Sequence, residues 1–545
     1  MPSASSTGRK ILIILIPFII ATLIMFPRLS SPQFGFFDDA RMLAQSKSFL
    51  LGDFSMSHDK QAGRFRPAYW LYYAAIYSIA DYHPFWFFVG QLFIFYILLY
   101  ELRLILNNMG FSETQVLATS LLFILTMPII ENFYTLSKGE PLQLVFILAA
   151  ITFSLRGKPQ NKYDLKRILL SALCILIAIM VKETAIVMLP IFFLWGVIDL
   201  FAYDPGLKKD LRLSISLFVA AIFAVVAYFL LRSVWGATAL LGGTYTDRYL
   251  VETTSLIQKL LRWSTQFAFY FHYLLPLILA VLLLFFFYKD SFTNKEKKSI
   301  FIWSIWSLLW YGILIPWEYA ELYYLLPFGF GVSILIGIIL PPILHSINVN
   351  QKIIRYSISA LSILAGILFI FTLPNYITDA KTQLTFDRAN QDMLDFITNY
   401  ASEGDAIYIN IETSNEYSEK LEVNLREHYQ LSDITYGNIN ADRMEKLNDQ
   451  TSAIVLMPFI NNQPRLTVRA GVEEAYQQPW NEKLHEKTEF NRETVKTFEE
   501  SFRISNINLP VLLCPLLDQR GFCENPDPII DTRLFVYGWE IYKIN

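Results

Sequence analysis

The chain has 545 residues, 54% of them hydrophobic and only 17% charged. Soluble domains run nearer ~45–50% apolar and ~25% charged, so a wholly soluble protein is excluded and an integral membrane protein with room for a soluble domain is indicated. The net charge of −3 arises from charges segregated along the chain, which gives no footing for nucleic acid, and three cysteines are too few for a disulfide scaffold or a cysteine-based zinc cluster.

Residues Met1–Lys10 are short, polar and basic, and Ile11–Phe26 is almost wholly apolar. A signal peptide begins similarly, but no small-x-small cleavage site follows. The segment reads as an uncleaved first span, its start held in the cytoplasm by Arg9 and Lys10. Further apolar runs follow at Pro84–Leu106, Val116–Ile130, Leu142–Leu155, Ile168–Val181, Ala185–Phe201, Leu213–Leu231, Phe267–Tyr288, Ile300–Pro316, Tyr323–Leu344 and Ile353–Leu373. That makes about eleven spans, several shorter than the ~17–25 residues of a tilted transmembrane helix. Alternate loops carry the lysines and arginines, among them Arg156, Lys158, Lys162, Lys166 and Arg167, then Lys208, Lys209 and Arg212, then Lys295, Lys297 and Lys298. Basic loops stay inside, so the amino terminus is cytoplasmic and the carboxyl end lies outside.

Between the first two spans lies a long outer loop. It opens with Phe34-Gly35-Phe36-Phe37-Asp38-Asp39-Ala40-Arg41. Adjacent carboxylates at a membrane boundary repel each other unless solvated, paired, metal-bound or partly protonated. A helix N-cap would explain the pair equally well. Downstream, Ala40–Leu51 and the aromatic run from Pro67 to Tyr77 read as helices lying in the interface.

Other polar groups gather at predicted outer ends of spans. Arg64 and Arg66 flank Phe65, a pattern suited to an anionic head group or to anchoring the interfacial helix. Lys138 and Glu140 precede a span, where Glu140 also favours a helix dipole. Lys182 and Glu183 join two apolar runs with almost no loop, as a phosphate-holding group or an ion pair ending two helices. Glu318 and Glu321 sit on one helical face near Tyr324, in a sugar-stacking platform or an aromatic belt. Carboxylates, cations and aromatics thus converge on the outer side.

Past Leu373 the sequence turns polar. Residues 375–545 are enough to bury their own core. Strands are expected at Asp405–Asn410 and Ser452–Met457, and helices at Phe386–Tyr400 and Glu416–Tyr429. Cys514 and Cys523 are expected to pair in an oxidising outer compartment, and Cys174 to pack within a span. The expected fold class is mainly α: a polytopic membrane helical domain over 1–374 with a C-terminal extracytoplasmic α/β domain over 375–545.

Asp38-Asp39-Ala40-Arg41-Met42-Leu43-Ala44, followed by Leu51-Gly52-Asp53-Phe54, resembles the first outer loop of GT-C glycosyltransferases. The likeness is to the branch with protein O-mannosyltransferases and the lipid A aminoarabinose transferase. Arg64–Leu71 is similar to the second interfacial helix of that loop, Lys182-Glu183 resembles a lysine-containing break between spans, and Glu140 stands where the family often has a second acid. The Glu321–Pro327 stretch resembles a later Tyr-Leu-Leu-Pro element. Asp39 replaces the commoner Glu, Pro67 stands alone where two prolines are usual, and the C-terminal domain resembles no named module.

The resemblance implies a glycosyltransferase of the inner (plasma) membrane that uses a polyprenyl-phosphate-linked sugar and a glycan, lipid or protein acceptor, among membrane lipids and without nucleic acid. It implies Asp38 as base, with Asp39 positioning the acceptor or a metal. Lys182, Arg64 and Arg66 would hold the phosphate. Glu140, Glu318 and Glu321 would orient sugar or acceptor, with Lys138, Glu183 and Tyr324 lining the substrate site. Asp39 and Glu140 are the candidate ligands should a divalent metal ion be the cofactor, since hard cations choose oxygen. Rival readings are a flippase of lipid-linked sugars, a polyprenyl-diphosphate-dependent ligase, and an assembly protein without catalysis.

Overall fold

The computed structural model describes residues 4–36, 38–56, 59–60, 63–155, 165–201, 208–236, 259–260, 263–264, 267, 270–287, 292–316, 322–345, 352–402, 405–409, 421–431, 435–438, 453–462, 492–508 and 528–544. Glu318, Glu321, Cys514 and Cys523 lie outside the described residues, and of Asp38 only the backbone is described. In chain order the helices are α1 (Ala4–Ser30), α2 (Asp38–Leu50), α3 (Pro67–Ala80), α4 (Pro84–Met109), α5 (Glu113–Ile124), α6 (Pro128–Tyr134), α7 (Glu140–Leu155) and α8 (Leu165–Val181). There follow α9 (Met188–Phe201), α10 (Lys208–Val234), α11 (Leu274–Phe287), α12 (Asn294–Gly312), α13 (Leu326–His345), α14 (Lys352–Ile370) and α15 (Leu373–Tyr400).

Six described stretches are long and apolar enough to cross a membrane: Leu12–Ser30, Pro84–Met109, Glu183–Phe201, Leu211–Val234, Leu322–Leu340 and Ile353–Tyr400. The chain is therefore a multi-pass membrane protein. The expected single span Val116–Ile130 is broken: α5 and α6 meet at 68°. Pro128 starts α6, and a proline inside a helix removes one hydrogen bond and clashes with the preceding turn. Close helix contact relies on small residues. A Cβ at Gly337 would lie 2.1 Å from Thr119 Oγ1, so α13 and α5 approach at a distance only glycine permits.

The expected helix Phe386–Tyr400 proves to be the end of a longer one. α15 starts at Leu373, with Pro374 in its first turn, and runs unbroken to Tyr400. Thr378, Asp379, Thr382 and Gln383 are polar yet buried on it. Leu384 belongs to the large apolar core of the helical bundle, whereas Phe386, Met393 and Ile397 belong to a second core beneath the sheet. One helix thus joins both cores with no linker between them.

The strands are β1 (Ala406–Ile409), β2 (Thr435–Asn438), β3 (Ala453–Asn461), β4 (Arg492–Arg503), β5 (Asn506–Ile507), β6 (Ile530–Asp531) and β7 (Leu534–Ile544). Five form a sheet in the order β2-β1-β3-β7-β4, parallel across β2, β1 and β3 and antiparallel at both sides of β7. Asn390 of α15 accepts hydrogen bonds from Tyr537 Oη and Trp539 Nε1, each at 2.8 Å, which seats the helix on the sheet. The expected helix Glu416–Tyr429 is described only from Leu421, and its last turn, Asn424–His428, is a π-helix.

Candidate functional site

A tight turn precedes α3. Gly63 takes φ of +70°, a left-handed conformation that glycine adopts without strain, and Arg64 N donates to Asp59 O at 2.7 Å. The chain folds back, so Arg66 reaches Asp59 across the turn. Arg66 Nε donates to Asp59 Oδ2 at 3.1 Å and Nη2 to Oδ1 at 2.5 Å, while Trp70 Nε1 donates to Oδ2 at 2.6 Å. Burial pulls the Asp59 carboxyl upward, but Arg66, Trp70 and Arg64 outweigh it and hold the group below the usual range. The Arg66 guanidinium lies 5.0 Å from the Tyr69 ring centroid and 5.6 Å from that of Trp70. From α10, Arg232 Nη2 donates to Gly63 O at 2.8 Å, pinning the turn from the other side.

Two helix ends meet this turn. Glu140 opens α7, and Lys182 sits in the one-residue gap between α8 and the 3-10 turn Glu183–Val187. The Lys182 ammonium is ion-paired to Glu140 Oε1. Gln143 Nε2 donates to Lys182 O at 2.6 Å and to Thr184 Oγ1 at 3.1 Å, which satisfies backbone left open by the break. Glu183 Oε1 accepts from Phe65 N at 3.2 Å, tying the break directly to the arginine turn.

A third piece covers them. Glu131 Oε2 accepts from Tyr323 N at 2.7 Å, and Asn132 Nδ2 donates to Tyr323 O at 2.9 Å. These bonds from α6 fix the 3-10 turn Leu322–Leu325, which presents two rings to two lysines. Lys138 Nζ lies 3.9 Å from the Tyr323 centroid and Lys182 Nζ 4.3 Å from that of Tyr324.

The electrostatics of this cluster are uneven. Burial lowers Lys182 to about 8; Glu140 opposes the shift, while Arg64 and Lys138 add to it by like charge. Burial also lowers Arg64, and the neighbouring Arg66 adds to that, against Glu183, Tyr324 and Asp59. Packed cations that depress one another are better satisfied when an anion joins them.

Asp39 has a different neighbourhood. It is buried at the start of α2, and its Oδ2 accepts from Gly35 N at 2.7 Å. A Cβ on Gly35 would lie 3.1 Å from that oxygen and 3.6 Å from Asp387 Oδ1. Asp387 is in turn ion-paired to Arg28, both fully buried, and the Arg28 guanidinium lies 4.3 Å from the Phe88 centroid. The C-terminal unit grips the same loop. Asn424 Nδ2 donates to Phe36 O at 3.3 Å, His428 Nε2 lies 3.4 Å from Ala40 O, and the His428 ring stacks on Tyr82 at 4.4 Å. Burial pushes this imidazole down to about 4.

The structure thus brings together Arg64, Arg66, Lys138, Glu140, Lys182, Glu183 and Tyr324 from the expected set, and holds Asp39 in the Gly35–Asp387 neighbourhood. Asp59, Gln143, Asn132 and Arg232 complete the cluster without a sequence signal of their own, together with Trp70 of the aromatic run and Tyr323 of the Tyr-Leu-Leu-Pro element. Among the described residues no three His, Cys, Asp or Glu side chains come together as a group that could hold a metal ion.

No protein-family profile matches the chain, and no curated protein matches it. Solved structures do resemble it. ArnT from Cupriavidus metallidurans, bound to undecaprenyl phosphate, has 13% identity and a TM-score of 0.46, over 83% of this chain and 93% of that one. The Archaeoglobus fulgidus oligosaccharyltransferase, tethered to an acceptor peptide, has 12% identity and a TM-score of 0.43, over 75% of this chain and 63% of that one. Its apo form has 10% identity and a TM-score of 0.46, over 76% and 63%. Both are GT-C membrane glycosyltransferases. The likeness assigns no residue a role.

Proposed function

We propose that this protein is a membrane glycosyltransferase that moves a sugar from a polyprenyl-phosphate carrier to an acceptor hydroxyl at the outer face of the plasma membrane. The observation that carries the reading is the meeting of Arg64, Arg66, Lys138 and Lys182 where three separate turns converge. In this reading the donor phosphate lies against Lys182, Arg64 and Arg66. These cations stabilise the charge that grows on the phosphate as it leaves. Glu140 and Glu183 hold Lys182 and the arginine turn in place, and Tyr324 flanks the sugar.

Asp38 is assigned as base. The acceptor oxygen attacks the anomeric carbon as its proton passes to the carboxylate, and the C–O bond to phosphate breaks with its electron pair on the phosphate. One displacement inverts the anomeric centre. Asp39, held by Gly35 N, orients the loop that carries Asp38. The topology that goes with this reading has about eleven crossings: the six long stretches, the broken α5–α6 pair, and α7, α8, α11 and α12. The amino terminus is then cytoplasmic, and residues 375–545 form the outer domain.

The test is Asp38→Asn in purified full-length protein with a polyprenyl-phosphate sugar donor. Transfer should fall by roughly 10²–10⁴-fold while donor binding stays within about twofold. Near-normal turnover by this variant would remove Asp38 from the chemistry.

A further inference from the structure

The small β5–β6 ladder is inside out. Ile507 pairs with Ile530 and Asn506 with Asp531. Ile530 is 69% exposed and Ile529 43%, whereas Asn506, Asn508 and Asp531 are buried. The buried carboxylate is matched locally: Arg533 Nε donates to Asp531 Oδ1 at 2.9 Å and Nη2 to Oδ2 at 2.7 Å. A ladder facing water turns its polar residues outward and its apolar ones to the core. The reverse suits a surface that meets lipid.

The ladder's position says which surface that is. Ile507 N donates to Asn375 Oδ1 at 2.8 Å, Asn375 Nδ2 donates to Ile507 O at 3.2 Å, and Ser505 N donates to Thr378 Oγ1 at 3.3 Å. These bonds fasten it to the first turns of α15, directly after α14 ends at Ile370. Along α14 the residues Ile353, Ile363, Leu364, Ile367 and Ile370 are exposed, and Ile377 of α15 continues them. The exposed apolar residues of a membrane-crossing helix therefore reach the helix turns to which the ladder is fastened.

We infer that Ile529 and Ile530 sit in the leaflet from which α14 emerges, so that the β5–β6 ladder is a lipid contact anchoring the C-terminal unit to the bilayer. This role is independent of glycosyl transfer. The anchor holds the base of α15 at a fixed depth, and α15 carries Asp387, the partner of Arg28.

The test uses the full chain with Cys174, Cys514 and Cys523 replaced, reconstituted in vesicles of phosphatidylethanolamine and phosphatidylglycerol. A nitroxide is placed at Ile530→Cys, with Ile363→Cys on α14 as the lipid reference and Glu499→Cys, exposed on β4, as the water reference. Relaxation by oxygen should exceed relaxation by a water-soluble nickel chelate at Ile530, as at Ile363, and the order should reverse at Glu499. Ile529→Cys reads the same surface without touching the paired residue, should Ile530→Cys fold poorly. A nickel-accessible label at Ile530, like that at Glu499, overturns the inference. So does a label that neither reagent reaches, the mark of a second copy or another protein covering the ladder.

Discussion

The arginine turn of the cluster and the acidic loop lie on successive stretches of chain, yet they are built differently. In the cluster, cations crowd one another: Lys182 is lowered to about 8 by burial, with Arg64 and Lys138 pressing in the same direction. At the loop opposite charges and backbone groups meet in pairs. Arg28 takes Asp387, Gly35 N takes Asp39, and Asn424 holds Phe36 O from the C-terminal unit. One region gathers like charges, with Arg66 paired to Asp59 and Lys182 to Glu140. The other is clamped from above so that its acidic residues keep their place.

The largest effect expected from breaking this contrast is at the clamp. Arg28→Ala leaves Asp387 buried without its counter-charge, and the loss of one partner of a buried pair costs ~3–5 kcal/mol. Thermal unfolding of the purified protein should drop sharply for Arg28→Ala and for Asp387→Ala alone. The double variant Arg28→Met with Asp387→Leu should recover much of that loss. A loss in the double variant equal to the sum of the two single losses would show that the pair does not act as a unit.

A smaller effect is expected in the cluster's scaffold. Asp59→Asn weakens two bonds to Arg66 and one from Trp70. Losing the charge assistance should cost ~1.5 kcal/mol, about a tenfold fall in kcat/KM for the donor, together with a drop in thermal stability, since Arg66 loses its buried counter-charge. An unchanged kcat/KM would mean that Arg66 does not touch the donor.

The smallest effect is a pH step. A lysine lowered to about 8 is charged below that pH and neutral above it. The log of kcat/KM for the donor should therefore be level up to about pH 8 and fall beyond it, since this parameter reports the free enzyme. Lys182→Arg keeps its charge and should move the fall to higher pH. A step that persists unmoved in Lys182→Arg would assign it to another group.

How far the sequence reached follows the same physics. Lys182 and Glu140 stood out because a charge between two apolar runs has nowhere to go but the boundary. Asp59 did not, because its bond to Arg66 crosses an irregular turn with no repeating spacing. Nor did Asn132, whose partner is the backbone of Tyr323, nearly two hundred residues away in sequence. The sequence predicts this helix only from Phe386, so the first half of α15 is absent from that reading. Thr378, Asp379, Thr382 and Gln383 are polar side chains on a buried face, which inverts the usual helical pattern. The break at Pro128 was present as a single residue, but the apolar run around it hid the bend.

The most direct measurement is equilibrium binding of polyprenyl phosphate to the purified full-length protein, wild type against Lys182→Ala, with Lys496→Ala on the sheet as a control. The grip described here predicts at least a tenfold loss, ~1.4 kcal/mol, for Lys182→Ala and none for Lys496→Ala. Equal affinity in all three proteins would contradict it.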